Sequence, residues 1–248
     1  MNPQSRPVGL VLLHGAGLGA WIWRDVEPLL ERPAFAVDFP FRDGTDAQRK
    51  HLGLSDYVDH VQAQIEAGPL EHVILVAHSI SGIVAVELAA RLPERVVGIV
   101  GVGAVIPKGA NSFVSCLPQP QRTLIRVLMR LLGTRPPDGA IRTSLCSGLS
   151  DTLASEVIER FVPESRALYL DRPSAPLPAL ATGYVKLTED PEFALALQEK
   201  MAANLAAQEV FSIASGHLPM LSHPQALAAH LDAVLTSVNG LAPHLVEP

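Results

Sequence analysis

The chain has 248 residues, 48% hydrophobic and 18% charged, which is enough apolar material for a large buried core and rules out intrinsic disorder. A formal charge of −6 and a pI near 5.8 supply no basic face, so nucleic acid is not an expected partner. Two cysteines exclude a disulfide-stapled miniprotein, and at about 150 residues per domain the length implies one or two domains.

From the N-terminus, the first apolar run is Val8 to Leu13, far shorter than the ~20 residues that span a bilayer. Only Arg6 precedes it as a positive charge, so neither a signal peptide nor a membrane partner is expected. Runs rich in Val, Ile and Leu at 8–13, 34–38, 72–77, 97–103, 182–187 and 208–213 predict strands. Helical periodicity at 55–67, 80–92, 191–205 and 222–236 predicts helices, the last opened by a Ser222/Gln225 capping box and closed near Asn239-Gly240. This alternation is that of an α/β fold with a mostly parallel, doubly wound sheet. Between 97–103 and 182–187 lie roughly 75 residues, where a βαβ crossover needs about 30, so a segment has been inserted. It contains an amphipathic stretch from Gln119 to Leu132 and a second helix from Leu149 to Phe161, between Pro107-Lys108-Gly109 and Pro173, Pro176 and Pro178. The expected organisation is a core of 1–107 and 179–248 with a helical cap at 108–178. This cap is slightly basic, with nine Lys/Arg against six Asp/Glu, and is expected over the sheet edge where open α/β folds bind ligands. Cys116 and Cys146 lack the spacing of a zinc site and suit a reducing cytoplasm; the sequence leaves open whether they pair.

Two functional readings compete after the first strand. Gly15-Ala16-Gly17-Leu18-Gly19-Ala20 contains G-x-G-x-x-A, and Asp38 ends the next strand, as in a dinucleotide-binding fingerprint with its ribose acid. Trp21 and Trp23 crowd the position where the helix should pack, and Pro28 opposes a long helix starting there. The other reading is an oxyanion loop following His14-Gly15, with the Ala16 N–H as donor. It requires a nucleophile at the same sheet edge.

Strand 72–77 runs into Ala77-His78-Ser79-Ile80-Ser81 and then a helix. A serine on so sharp a turn needs small residues two places before and after it, a test that Ser79 passes with Ala77 and Ser81 and that Ser81 fails with Ile83. The Ile80 N–H becomes a second oxyanion donor. Adjacent strand positions point to opposite faces, so His78 is expected to be a packed neighbour rather than the base. The base must come from a later loop, and His217 follows strand 208–213 directly, whereas His223 and His230 sit at or in the final helix. The carboxylate that orients it is expected after the preceding strand, where Asp190 lies; Asp190-Pro191-Glu192 also reads as a helix N-terminus. No HExxH, C-x-x-C or P-loop occurs, so no metal or cofactor is expected.

With these residues in place the chain resembles the α/β-hydrolase superfamily, in its branch of plant-type methylesterases and hydroxynitrile lyases with their bacterial esterase relatives. The resemblance rests on LLHGAGLGAWIW (12–23), VAHSISG (76–82), YVKLTEDPEF (184–193) with Gln198, and SGHLPMLSHP (215–224). It implies Ser79 as nucleophile, His217 as base, Asp190 as acid, and Ala16 and Ile80 as the oxyanion hole. The elbow departs from the family's G-H-S-x-G-G at Ala77 and Ser81, which implies a different pocket wall beside Ser81. The lyases carry Thr after the loop His and Lys after the catalytic His, whereas this chain has Gly15 and Leu218. Family members that use an Asp nucleophile are set aside by Ser79. The expected function is a serine carboxylic-ester hydrolase acting on a small to medium, largely apolar ester through an acyl-enzyme and without a cofactor. The alternatives are a triad-bearing ligand-binding receptor with slow turnover and a hydroxynitrile lyase-like C–C lyase.

Overall fold

The computed structural model describes residues 8–109 and 111–241. Six strands form one sheet: β1 (Gly9–Leu13), β2 (Ala34–Val37), β3 (Val73–His78), β4 (Val96–Val102), β5 (Ala181–Leu187) and β6 (Glu209–Ile213). Each lies within about one residue of its expected position. All pairings are parallel, in the order β2-β1-β3-β4-β5-β6. Parallel strands need crossovers that cover both faces, which is why β1 and β3 are buried along their whole length and read as unbroken apolar runs.

The helices are α1 (Asp46–Arg49), α2 (Leu54–Ala67), α3 (Ser81–Arg91), α4 (Phe113–Cys116), α5 (Gln121–Leu132), α6 (Asp138–Ala140), α7 (Asp151–Glu159), α8 (Arg166–Leu170), α9 (Leu195–Leu205), α10 (Pro219–Ser222) and α11 (Pro224–Leu241). One face of the sheet packs Leu13, Leu75 and Ala77 against α2, α3 and α9. The other packs Leu12, Val76 and Val185 beneath α11 and Trp23. Helices α4 to α8 all lie between β4 and β5. They are continuous with the core, because Phe113, Val114 and Leu168 join the first cluster while Ile141, Val157 and Phe161 join the second.

The dinucleotide alternative is set aside, and two helix starts are corrected. The glycine-rich loop opens no α-helix: Ala20–Trp23 is a single 3₁₀ turn with Trp23 fully buried, and Asp38 Oδ1 accepts the Ala20 N–H at 2.7 Å. The acid that a ribose would need therefore braces the loop. Helix α9 starts at Leu195 rather than 191, because Asp190 Oδ1 accepts the N–H groups of Glu192 (2.8 Å) and Phe193 (3.3 Å) and holds a turn there. The Ser222 hydroxyl donates to Leu218 O at 3.2 Å and ends α10, so α11 begins on Pro224 without the expected capping box.

Sheet order places the site. The chain leaves β1 toward β2 on one side and returns to β3 on the other, so the loops after β1 and β3 face each other across a topological switch point.

Candidate active site

The turn after β3 is the most constrained backbone at that edge. Ser79 has φ +58°, a left-handed conformation that costs a non-glycine residue about 1–2 kcal/mol. The turn persists because its neighbours fix it: Ser79 N–H donates to Val102 O (3.4 Å), and its carbonyl accepts from Val105 N (2.9 Å) and Gly82 N (3.4 Å). The Ser81 hydroxyl donates to His78 O (2.8 Å) and lies 3.2 Å from Leu13 O, joining the elbow to β1. Ser81 is fully buried and performs this structural task.

Across the switch point, Gly15 is forced by contact. A Cβ there would lie 2.8 Å from His78 Nδ1 and 3.0 Å from Ser79 Cβ, so the loop and the serine are in van der Waals contact. Burial, with Arg42 nearby, pushes the pKa of His14 down to about 3, so its imidazole is neutral. A carbonyl can only accept, so His14 Nδ1–H donates to Gly15 O (2.8 Å) and Nε2 accepts from Phe39 N–H (3.1 Å).

The loops after β5 and β6 bring Asp190 and His217 together. Their Oδ2 and Nδ1 atoms are 2.7 Å apart, and both side chains are almost fully buried. Burial alone would lower the His217 pKa. The charge and hydrogen bond of Asp190, with the charge of Glu192, outweigh that and hold it above the ordinary imidazole value. Gln198 sets the loop that carries Asp190, its amide donating to Leu187 O and Phe193 O, each at 2.8 Å, while its Oε1 accepts from Leu187 N at 2.7 Å.

His78 links the serine's turn to this pair. Its Nε2–H donates to the His217 carbonyl at 2.8 Å and the two rings lie 4.7 Å apart, so it is the packed neighbour the strand geometry implied. Among the described residues the Ser79 hydroxyl makes no hydrogen bond, and Ser79 is 8% exposed. The N–H groups of Ala16 and Ile80 are likewise without protein partners among those residues. An aromatic wall reaches His217: Phe193 meets its ring edge-on at 5.1 Å, and Phe113 packs against both Phe193 and Tyr169. No three His, Cys, Asp or Glu side chains gather as a metal would require among the described residues. His223 is exposed and His230 stacks on Phe211. Cys116 and Cys146 are buried and unpaired.

Residues 10–230 match the model of the alpha/beta hydrolase family. The chain belongs to this family. Over 114 residues this α/β-hydrolase is 34% identical to the carbendazim hydrolyzing esterase of Nocardioides sp. strain SG-4G, a match that spans 44% of this chain and 47% of that one. It is 25% identical over 272 residues to methylesterase 2 of Arabidopsis thaliana, covering 94% of this chain and 98% of that protein. An extracellular alpha/beta-hydrolase from a Paenibacillus species superposes with a TM-score of 0.78 at 18% identity, over 94% of this chain and 99% of that one.

One part of this hydrolase's site gives no sequence signal. Glu164, fully buried, accepts the Gly17 N–H at 3.3 Å on one oxygen, and Arg42 (2.7 Å) and the Tyr57 hydroxyl (3.0 Å) on the other. Burial raises its carboxyl pKa, against the pull of these donors. The partners are separated by more than 100 residues, so no local pattern exists to find.

Proposed function

We propose that this α/β-hydrolase cleaves carboxylic esters through a Ser79–His217–Asp190 triad. The observation that carries the reading is the buried His217–Asp190 pair on the same sheet edge as the strained Ser79 turn. Ser79 Oγ attacks the ester carbonyl carbon as His217 Nε2 takes its proton, and Asp190 holds His217 in the tautomer that leaves Nε2 free. The Ala16 and Ile80 N–H groups receive the negative charge on the tetrahedral oxygen. The C–O bond then breaks, His217 returns the proton to the departing alcohol, and water repeats the sequence to release the acid. Residues 108–178 serve as the cap over this centre, and the Phe113–Phe193 wall favours an apolar ester of modest size. The unpaired thiols of Cys116 and Cys146 support a reducing, cytoplasmic setting.

Ester hydrolysis is favoured over cyanohydrin cleavage on two positions. Buried Leu218 puts no cation beside the base, and His78 fills the space that a side chain at 15 would need. A fluorophosphonate probe tests the reading, because only a serine activated by base and oxyanion hole attacks phosphorus quickly. Labelling is expected at Ser79, absent in Ser79→Ala, with turnover of a graded ester panel falling by roughly 10⁶. Labelling that persists in Ser79→Ala refutes the assignment, and stoichiometric binding of esters without turnover identifies a receptor instead.

A further inference from the structure

Helix α5 has the apolar stripe read from the sequence, and the stripe faces away from the protein. Leu124, Val127, Leu128 and Leu131 recur at the spacing of one helical face. A helix of a water-soluble domain turns such a face to the core. Here only Met129 is buried, while Leu131 is 72% exposed and Leu124 57%. With Val127, Leu128 and Leu132, this helix supplies half of the large exposed apolar side chains among the described residues.

Charge identifies what covers the stripe. Arg126 and Arg130 stand one turn apart beside it, exposed and without an ion-pair partner among the described residues. Arg122 turns inward and donates to the carbonyls of Leu117 and Ser115. The sequence has no acidic residue between Glu94 and Asp138, although the whole chain carries −6. An apolar ridge flanked by unpaired arginines matches an anionic bilayer surface, with leucines in the acyl boundary and guanidinium groups at the headgroups. A second copy fits less well, because a two-fold contact along this helix presents the same residues again, with no acidic side chain among them to pair with the arginines.

We infer that α5 is an interfacial helix that docks the protein on an anionic lipid surface. The expectation of no membrane partner came from the lack of a spanning segment, and a helix of 12 residues lying in the interface plane needs none.

The test is cosedimentation of the full chain with vesicles of mixed phosphatidylglycerol and phosphatidylcholine, and with phosphatidylcholine alone. Binding is expected only to the anionic vesicles, weakening as salt is added. Arg126→Glu with Arg130→Glu should lower it at least about thirtyfold, and Leu124→Ser with Leu131→Ser at least about tenfold. Melting temperature and ester turnover in solution should not change, since these side chains are exposed. The proposal is overturned if wild-type protein stays in the supernatant, or if the arginine variant binds as well as wild type. It is equally overturned if sedimentation velocity shows a dimer that Leu131→Ser dissolves, which would make a second copy the occupant.

Discussion

Replacing Asp190 with Asn separates the two tasks its carboxylate performs. Oδ1 holds the 190–193 turn through the N–H groups of Glu192 and Phe193, while Oδ2 faces His217 Nδ1 at 2.7 Å. An amide oxygen can still accept both N–H groups, so the turn survives. The amide nitrogen then faces Nδ1, and being a donor it selects the tautomer with the proton on Nε2, where Ser79's proton must go. In serine hydrolases that exchange lowers kcat by about 10⁴, equivalent to about 5.4 kcal/mol of barrier. Asp190→Ala instead strips the acceptor from both turn N–H groups and from His217. At about 1–3 kcal/mol per unsatisfied group, partly relieved by water, it should cost roughly 2–4 kcal/mol and lower Tm by roughly 5–15 °C. Steady-state hydrolysis of an aryl ester, with thermal melts on the same samples, reads both quantities. Asp190→Asn should be nearly inactive at an unchanged Tm, and Asp190→Ala inactive and less stable. Asp190 is not the triad acid if Asp190→Asn keeps more than about a tenth of wild-type kcat.

At the opposite side of the site, Gly15→Ala places a methyl group 2.8 Å from His78 Nδ1 and 3.0 Å from Ser79 Cβ. Overpacking of about 1–3 kcal/mol and a displaced serine should lower Tm and reduce kcat/KM by at least about tenfold; an unperturbed variant would show that the contact is slack. His217 must be neutral to accept a proton, so kcat/KM should fall on the acid side through a pKa above the ordinary 6.5. Glu192→Gln removes one of the charges that raise it and should move that limb to lower pH; a wild-type limb below 6.5 would contradict the assigned environment. Because this pKa is raised on folding, the stability it contributes is complete below about pH 6.5 and is lost as pH rises through the folded value, which thermal melts across that range will read.

What the sequence disclosed was what is local or ordered along the chain. Strands buried on both faces spell themselves as apolar runs, and an elbow serine shows its requirement in the small residues around it. The meeting of His217 with Asp190 is legible because successive parallel strands end at one edge, so position after a strand is already position in space. The misread details came from polar side chains with two available partners. Asp190-Pro191-Glu192 is as good an opening for a helix as for a turn, and the choice followed the second contact, to His217. Ser222 bonded backward to Leu218 instead of forward. Helix α5 is a third kind of case, because periodicity reveals a stripe without revealing what it faces.

The buried ion pair shows why some of the site lies beyond sequence reasoning. Residues 161–165 close on the loop after β1: Val162 N–H donates to Gly17 O (2.9 Å) and Glu164 accepts from Gly17 N–H, while Arg42, which donates to Glu164, also donates to Leu18 O (2.6 Å). Arg49 adds a bond to Pro163 O, and the Phe161 ring occupies the space where a Cβ at Gly17 would stand, at φ +79°. A buried pair such as Arg42–Glu164 contributes little net stability relative to an apolar replacement, since desolvation offsets the attraction. Breaking one partner is another matter, costing about 3–5 kcal/mol because the remaining charge is stranded. That asymmetry makes the pair a device for geometry. It leaves the loop one well-defined arrangement at the end of the segment inserted between β4 and β5, and the loop's Ala16 N–H is the group whose position ester hydrolysis would depend on. The loop after β1 and the inserted segment therefore form one unit in the fold, although the sequence separates them by more than 100 residues.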